Sequence, residues 1–257
     1  MLYQINVYLK FLLKSRNQHG IHSPFVYNLV TQCFYDKTPF QDYLKLEQYR
    51  LSLIKNKNTI DVTDLGAGSK ITQNSKRKIS KIARHVGISK AKAKLLYRVV
   101  SYFNSKHILE LGTSLGIATQ ALSLRNPKAK TTTIEGCPNL SAFTKKNFER
   151  HQLNNIEIET GDFVEVIQNL KPNNYDLIFF DGNHQREATL NYFEALSSKT
   201  HNDSVFIFDD IYWSKGMTEA WQIIKKHPKI TVTIDTFYLG FVFFRKEQVK
   251  EHFTIRI

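Results

Sequence analysis

The pattern of apolar and polar positions changes near residue 105. Before that point apolar residues recur at helical spacing, and a continuous helix with one buried face is predicted over 79–103. Beyond it, short apolar runs alternate with helical patterns, which is typical of strands and helices that follow one another in a mostly parallel sheet. We therefore predict a helical N-terminal extension or lid over 1–105 and an α/β domain over 106–257.

The second unit is predicted to alternate strictly between strand and helix. Strands are predicted over 107–111, 130–135, 156–160, 175–181 and 204–209, and helices over 116–125, 138–152, 162–170, 186–199 and 216–227. Two further strands, 230–236 and 239–245, follow Pro228 with almost no link between them, which indicates an antiparallel hairpin. The predicted fold class is α/β, a doubly wound, seven-stranded, mostly parallel Rossmann-like sheet with an antiparallel C-terminal hairpin and a helical N-terminal extension.

The start of the chain is predicted to be helical and soluble. Residues 1–14 carry apolar side chains at roughly helical spacing, but Lys10 and Lys14 interrupt them, which favours a packed amphipathic helix over a signal peptide or membrane span. The two cysteines, Cys33 and Cys137, give neither a disulfide framework nor a Cys-based metal site. A reducing cytoplasm is the simplest location.

The net charge of +13 lies in the N-terminal unit. Residues 1–105 carry 18 Lys or Arg and 5 Asp or Glu, whereas residues 106–257 carry 18 of each. The segment from Lys70 to Arg98 holds ten basic residues and no acid. It is either a surface for phosphate, nucleic acid or another acidic partner, or a solvated helix face. We favour the solvated face, because aromatic residues do not interleave the run as stacking on bases requires.

The stretch 107–119 has the pattern of a strand, a glycine-containing turn and a helix start. An apolar run contains Glu110 near its end, and Gly112 and Gly116 allow the backbone to pass close to a ligand. Such a turn is common, so its weight comes from the residues that follow. Glu135 ends the next predicted strand, 25 residues after Glu110. An acid in that position can accept both hydroxyls of a ribose.

Acids recur at the ends of the predicted strands. They are Glu110, Glu135, Asp181 and the pair Asp209-Asp210. Because ligands of open α/β sheets bind at the carboxyl ends of the strands, these acids point to one site. After the third strand, Asp162 is placed to meet an adenine amino group while Phe163 covers the ring, although Gly-Asp is also ordinary turn chemistry.

With these motifs in place, residues 107–245 resemble a class I S-adenosylmethionine-dependent methyltransferase. The segment from Glu110 to Gly116 resembles the first cofactor motif of the O-methyltransferases related to the catechol and caffeoyl-CoA enzymes, including a serine where the commonest form has a middle glycine. The segments 180–184 and 205–213 resemble the same branch. The resemblance implies S-adenosyl-L-methionine binding by Glu110, Gly112, Thr113, Ser114, Gly116, Glu135, Asp162, Phe163 and Asp181.

The resemblance also implies candidate metal ligands and a candidate base. The branch often holds a divalent cation on residues that correspond to Asp181, Asp209 and Asp210, and such oxygen ligands suit Mg²⁺ or Ca²⁺. The same acids can instead cap helices or position the cofactor without a metal. His184 stands where the catechol enzymes have a lysine base, so His184 and Asp181 are the predicted catalytic residues. A pocket-lining or helix-capping histidine is the alternative.

We predict a soluble cytoplasmic bacterial methyltransferase that acts on an oxygen of a small-molecule acceptor, has no membrane association and forms a homodimer. His19, His22 and the glycine loop 64–69 are candidate lid residues. One alternative is an RNA or other nucleic-acid methyltransferase that uses the basic face over 70–98. Against it, the Asn/Asp-Pro-Pro-aromatic motif is absent after the fourth strand. The other alternative is a non-catalytic binding protein on the same fold.

Overall fold

The N-terminal extension consists of helices and one short hairpin in the computed structural model, which describes residues 2–63, 75–170 and 174–257. Its elements are α1 (Leu2–Lys14), α2 (Pro24–Leu29), α3 (Asp42–Lys55), β1 (Thr59–Asp61), β2 (Lys76–Lys78), α4 (Ile79–His85) and α5 (Lys90–Phe103). Strands β1 and β2 pair antiparallel. A single π-helical turn, Val30–Phe34, continues α2. The candidate lid loop 64–69 lies outside the described residues.

The prediction of one continuous helix over 79–103 is wrong, because two helices are present. Helix α4 ends at His85, and α5 begins at Lys90 after a link of four residues. The Ser89 hydroxyl caps α5 by accepting a hydrogen bond from the backbone N–H of Lys92 at 3.2 Å. Gly87 lies in the link, where a Cβ would come within 2.6 Å of Ile117 Cδ1. A glycine and a capping serine therefore interrupt the apolar spacing from which one helix had been predicted.

The α/β domain follows the predicted order. It contains β3 (His107–Leu111), α6 (Ile117–Leu124), β4 (Lys130–Glu135), α7 (Pro138–Arg150), β5 (Ile156–Thr160), α8 (Phe163–Asn169), β6 (Leu177–Phe180), α9 (Arg186–Ser197), β7 (Val205–Asp209), α10 (Lys215–Lys226), β8 (Val232–Asp235), β9 (Leu239–Phe243) and β10 (Glu251–Thr254). The sheet order is β10-β8-β9-β7-β6-β3-β4-β5. Strand β9 runs antiparallel to β7 and β8, and the other pairs are parallel. The predicted doubly wound sheet with a C-terminal hairpin is confirmed.

The predicted strand number is wrong, because the described residues form a sheet of eight strands. The additional strand, β10, lies at the edge and pairs in parallel with β8. Phe253 is its one buried residue, so the alternation that reveals a half-buried strand is weak there. Backbone hydrogen bonds join the segment to the N-terminal extension, from Arg16 N to Thr254 O at 2.9 Å and from Arg256 N to Arg16 O at 3.0 Å.

The N-terminal extension covers one face of the sheet and shares its core. Tyr49 and Leu96 from the extension belong to the same buried cluster as Phe241 of β9. The opposite face has a separate cluster that includes Leu109 and Trp221. Burial of each large apolar side chain contributes about 1.5–3 kcal/mol. The extension therefore packs as a layer of the fold and carries α4 and α5 to the carboxyl ends of the strands.

Helix α1 packs less completely than its amphipathic pattern predicts. Phe11 is its buried residue, and Phe11 and Tyr8 both contact the ring of Phe237. The exposed apolar residues of α1 are Leu2, Ile5, Tyr8, Leu9 and Leu13. None of the helices in the described ranges combines the length and the apolar content that crossing a membrane requires. The homodimer stays a prediction.

Candidate active site

The carboxyl ends of β3, β4, β6 and β7 meet at one edge of the sheet, where two neighbouring cavities open. The smaller cavity has a volume of about 180 Å³ and is lined by Glu135, Asp162 and Phe163 among others. The larger has a volume of about 690 Å³ and lies between the strand ends and α5. Gly112 and Asp181 line both cavities. Ligands in the two cavities would therefore meet at the wall that these residues form.

The glycine turn has the predicted strand–turn–helix setting, but packing against protein explains its glycines. Gly112 has φ 104°, and a Cβ there would lie 2.4 Å from the carbonyl oxygen of Asp181. Gly116 has φ 73°, and its Cβ would lie 2.4 Å from Cε1 of Phe148. Ser114 is also left-handed, with φ 48°. Both glycines therefore make room for neighbouring protein atoms, a strand end and a helix, and their predicted contact with a ligand stays a prediction.

Glu135 holds the turn in place and faces the smaller cavity. Its Oε2 accepts a hydrogen bond from the backbone N–H of Ser114 at 2.7 Å, and its Oε1 accepts one from Cys137 N at 2.9 Å. The residue lines the smaller cavity although it is largely buried. Each carboxylate oxygen can accept more than one hydrogen bond. The geometry is therefore compatible with both the turn and a ligand diol.

Glu110 lies beneath the turn and is completely buried. Its Oε2 accepts hydrogen bonds from the hydroxyls of Thr119 at 2.5 Å and Thr133 at 2.6 Å. The Thr133 hydroxyl is also 2.6 Å from that of Thr113, which lines the larger cavity. Burial raises the pKa of Glu110 to about 8, although the hydrogen bonds from these two hydroxyls act to lower it. Glu110 is not among the described residues that line either cavity, so it lies behind the turn, and its predicted role in cofactor binding stays a prediction.

Asp162 and Phe163 form part of the wall of the smaller cavity. Asp162 Oδ1 accepts hydrogen bonds from the N–H groups of Val164 at 2.8 Å and Glu165 at 3.3 Å, so it caps α8. The Phe163 ring lies where a Cβ on Gly182 would approach to 2.5 Å, and it packs 5.6 Å from the ring of Tyr192. Asp162 therefore caps a helix, and both residues also line the smaller cavity.

The three predicted strand-end aspartates and His184 come together on the larger cavity. They are Asp181, Asp209 and Asp210. His184 Nε2 lies 3.8 Å from Oδ1 of Asp181. Burial, together with the nearby carboxylate of Asp209, raises the pKa of Asp181 well above its usual range. Asp210 has φ 52°, a left-handed backbone that is common at functional sites.

Sequence reasoning missed the cation of this site, Lys92 of α5. Its Nζ contacts Oδ1 of Asp209 and lies 3.2 Å from Oδ1 of Asp210. The Lys92 side chain is 17% exposed, so the pair is largely withdrawn from water. Burial by itself would lower the pKa of Lys92, but the carboxylates of Asp209 and Asp210 raise it above its ordinary value. The Lys92 ammonium is therefore charged and held at the aspartate pair.

A signal for Lys92 was present in the sequence. It stands three and four residues before Leu95 and Leu96 on α5, so it continues the apolar face of that helix. The surrounding basic run led to its interpretation as part of a solvated face. A lysine on the buried face of a helix needs an opposite charge nearby. A lysine that continues the apolar pattern of a helix can therefore be identified from the sequence as a candidate for a buried ion pair.

The predicted Mg²⁺ or Ca²⁺ ligands do not fit a divalent cation as they are arranged. Lys92 already contacts Asp209 and Asp210, two of the three predicted ligands. In the part of the chain that the structure describes, no group of three or more His, Cys, Asp or Glu side chains is arranged to hold a metal ion. A bound divalent cation would have to displace an ammonium from the same oxygens.

Two of the predicted lid residues lie away from the two cavities. His19 and His22 are exposed and are absent from the described residues that line the two cavities. The larger cavity is instead covered by Phe34, by the link that joins α4 to α5 and by the first turns of α5. Val62 and Arg77 from the β1–β2 hairpin line the smaller cavity. The N-terminal extension therefore contributes walls to both cavities.

Comparison with known proteins agrees with this geometry. Residues 109–211 match the family described as a methyltransferase domain. A catechol O-methyltransferase of Niastella koreensis is 25% identical over 131 residues, which are 49% of this chain and 58% of that protein, so the match spans little more than half of the relative.

Two solved structures share the fold. An O-methyltransferase from Bacillus cereus in complex with SAH has a TM-score of 0.57 and 18% identity, over 81% of this chain and 93% of that chain. The O-methyltransferase TomG from Streptomyces achromogenes, in complex with SAM, has a TM-score of 0.57 and 14% identity, over 90% and 99% of the two chains.

Proposed function

We propose that this chain is a class I S-adenosylmethionine-dependent methyltransferase of the O-methyltransferase-like branch, and that it transfers a methyl group from S-adenosyl-L-methionine to an oxygen of a small-molecule acceptor. The observation that carries this proposal is the wall shared by the two cavities at Gly112 and Asp181. A cofactor in the smaller cavity and an acceptor in the larger one would bring their reacting atoms together there. Positioning of two reactants supplies much of the acceleration of such displacements.

The smaller cavity has the groups that the nucleoside part of the cofactor needs. Glu135 is the residue for the ribose hydroxyls, since it lines the smaller cavity and a carboxylate oxygen can accept more than one hydrogen bond. Asp162 and Phe163 would meet the adenine amino group and ring. The turn at Gly112 and Ser114, which lines both cavities, would hold the part of the cofactor nearest to the transferred methyl. When bound, S-adenosylmethionine supplies an electrophilic methyl group on a sulfonium.

The larger cavity suits a small acceptor that has an apolar body and a hydroxyl. Phe34, Leu95 and Leu239 supply apolar wall, and the aspartates and His184 lie on the same cavity. His184 would accept the hydroxyl proton, and Asp181 at 3.8 Å would stabilise the imidazolium that results. The acceptor oxygen then forms the new bond to carbon while the electron pair of the broken carbon–sulfur bond goes to sulfur.

The contacts of the basic run favour this function over nucleic-acid methylation. Lys92 points into the site, Lys90 pairs with Glu47, and Arg98 donates hydrogen bonds to the carbonyl oxygens of Cys33 at 2.7 Å and Phe34 at 3.1 Å. These three side chains are engaged with protein groups of the fold and the site, so they are not available to nucleic-acid phosphates.

The decisive experiment is a calorimetric titration with S-adenosylhomocysteine. We expect saturable binding by the wild type and at least about tenfold weaker binding by Glu135→Ala, equivalent to about 1.4 kcal/mol. Glu157→Ala is the matched control, since Glu157 is a half-exposed acid of β5 that pairs with Lys130 away from both cavities. A folded wild type that shows no saturable binding would refute the proposed function.

A further inference from the structure

We propose that the Lys92 ammonium is the resident cation of this active site: it takes the place of a divalent metal at Asp209 and Asp210 and donates a hydrogen bond to the acceptor oxygen. Methyl transfer by this protein would then proceed without a bound metal. The donor role rests on the proposed function. The identity of the cation does not, and it can be tested separately.

The packing of α5 on the sheet determines the position of Lys92. Within the helix, Lys90 and Lys94 are exposed, whereas Lys92 lies on the face that continues into the buried residues Leu95 and Leu96. The exposed fraction of its side chain is 17%, and that of Asp209 is 5%. Burying an ammonium and a carboxylate costs free energy unless they pair closely. The packing of α5 on the sheet therefore brings the two charges together, and each is needed by the other.

The ammonium of Lys92 already occupies one oxygen of each aspartate in the pair. Lys92 Nζ contacts Oδ1 of both Asp209 and Asp210. A divalent ion on the same two oxygens would lie next to the ammonium, and the two positive charges would repel each other strongly in this poorly hydrated place. Metal binding would therefore require Lys92 to leave a largely buried position. The ammonium needs no metal to neutralise this part of the site.

Lys92 also has the donor that the reaction needs. An ammonium has three N–H groups, and its contacts with Asp209 and Asp210 account for two of them. Lys92 lines the larger cavity together with His184, so its remaining N–H can reach an acceptor oxygen there. This donor would favour the deprotonated oxygen while His184 takes the proton. Lys92 stays protonated throughout, so the balance of the transfer is unchanged.

The test compares Mn²⁺ binding, measured by electron paramagnetic resonance, in the wild type and four variants, one of which is Asp209→Asn. We expect the wild type to bind Mn²⁺ with a dissociation constant of about 1 mM or weaker at the aspartate pair. Lys92→Ala, which removes the ammonium, should bind at least about tenfold more tightly. Lys92→Arg keeps the charge and should resemble the wild type. Lys90→Ala, on the exposed side of the same helix, is the matched control and should do the same.

Two outcomes would overturn the proposal. One is micromolar Mn²⁺ binding by the wild type that Asp209→Asn weakens, because Lys92 would then yield to a metal. The other is equal Mn²⁺ affinity in the wild type and Lys92→Ala. If Lys92→Ala does not fold, the wild type and Asp209→Asn still decide between ammonium and metal.

Titration of the same samples with S-adenosylhomocysteine separates this proposal from the proposed function. A wild type that binds neither S-adenosylhomocysteine nor Mn²⁺, beside a Lys92→Ala variant that binds Mn²⁺, would refute the methyltransferase function and retain Lys92 as the cation. A wild type that binds S-adenosylhomocysteine and also binds Mn²⁺ with micromolar, Asp209-dependent affinity would support the methyltransferase function and refute Lys92 as the resident cation.

Discussion

Strand β6 carries an aspartate at each end, and the two have opposite surroundings. Asp176, just before the strand, accepts hydrogen bonds from the N–H groups of Lys106 at 2.7 Å and His107 at 2.8 Å, and it lies 2.9 Å from Nε2 of His201. Burial would raise its pKa, but these donors hold it below the usual value. At the other end, burial and Asp209 raise the pKa of Asp181.

This difference separates a structural carboxylate from a functional one. The carboxylate of Asp176 is stabilised as an anion by two backbone groups and a histidine, and it fastens the starts of β3 and β6 together. Asp181 is held near other acids at the wall between the two cavities. Groups whose pKa is raised by burial and like charges are concentrated at active sites. With the proposed function, one end of the strand would serve stability and the other chemistry.

The largest expected effect is the loss of stability on substitution of Gly112, which packs against the backbone of Asp181. Gly112→Ala would place a Cβ 2.4 Å from the Asp181 carbonyl oxygen, at a residue with φ 104°. We expect the free energy of unfolding to fall by about 3 kcal/mol or more in chemical denaturation. Gly216→Ala is the control: in α10 its Cβ would have no neighbour nearer than 3.4 Å, and stability should change by about 0.5 kcal/mol or less. Equal effects would remove the packing explanation of Gly112.

Asp181→Asn tests the proposed catalytic role of the aspartate at the carboxyl end of β6. Loss of the carboxylate beside His184 should lower the methyl-transfer rate by about 100-fold, or about 2.7 kcal/mol in the barrier. Stability should stay constant or rise, since a carboxylate near Asp209 is removed. The measurements are initial rates on a panel of hydroxyaryl acceptors and a denaturation curve. An unchanged rate with lowered stability would make Asp181 a structural residue.

Asp176→Asn, the smallest of the three effects, tests the other end of the strand. Loss of the charged acceptor should lower the free energy of unfolding by about 2 kcal/mol at pH 7, with the methyl-transfer rate retained. Because the folded-state pKa of Asp176 is lowered, its stabilisation is present above the unfolded pKa of about 3.9 and is lost as the pH falls through the folded value. The difference between wild type and variant should therefore shrink below pH 4. A difference independent of pH would show that the ionised carboxylate is not responsible.

Several features of the fold and site could be predicted because they depend on local patterns. The bounds predicted for β3, β4 and β5 agree with the structure at 107–111, 130–135 and 156–160. Their apolar runs and following helices are strongly periodic. The convergence of Glu135, Asp181 and the Asp209-Asp210 pair followed from a general property of parallel sheets.

Other features depended on interactions that no local pattern carries. Strand β10 is held mainly by backbone pairing with β8. Glu110 has the position of a ligand-binding acid in the sequence, yet the hydroxyls of Thr119 and Thr133 hold it beneath the turn. Such outcomes are set by which side chains meet across the core.

By itself, the sequence determined the order of strands and helices, the glycine turn and the edge of the sheet at which the acids gather, because these follow from periodicity and strand direction. Only the tertiary structure decided which charge faces those acids. Lys92 and Asp209 are 117 residues apart, and they meet because the apolar face of α5 packs against the sheet. The same packing makes a lysine from a basic run part of the site and leaves Lys90 and Lys94 of the same helix in solvent.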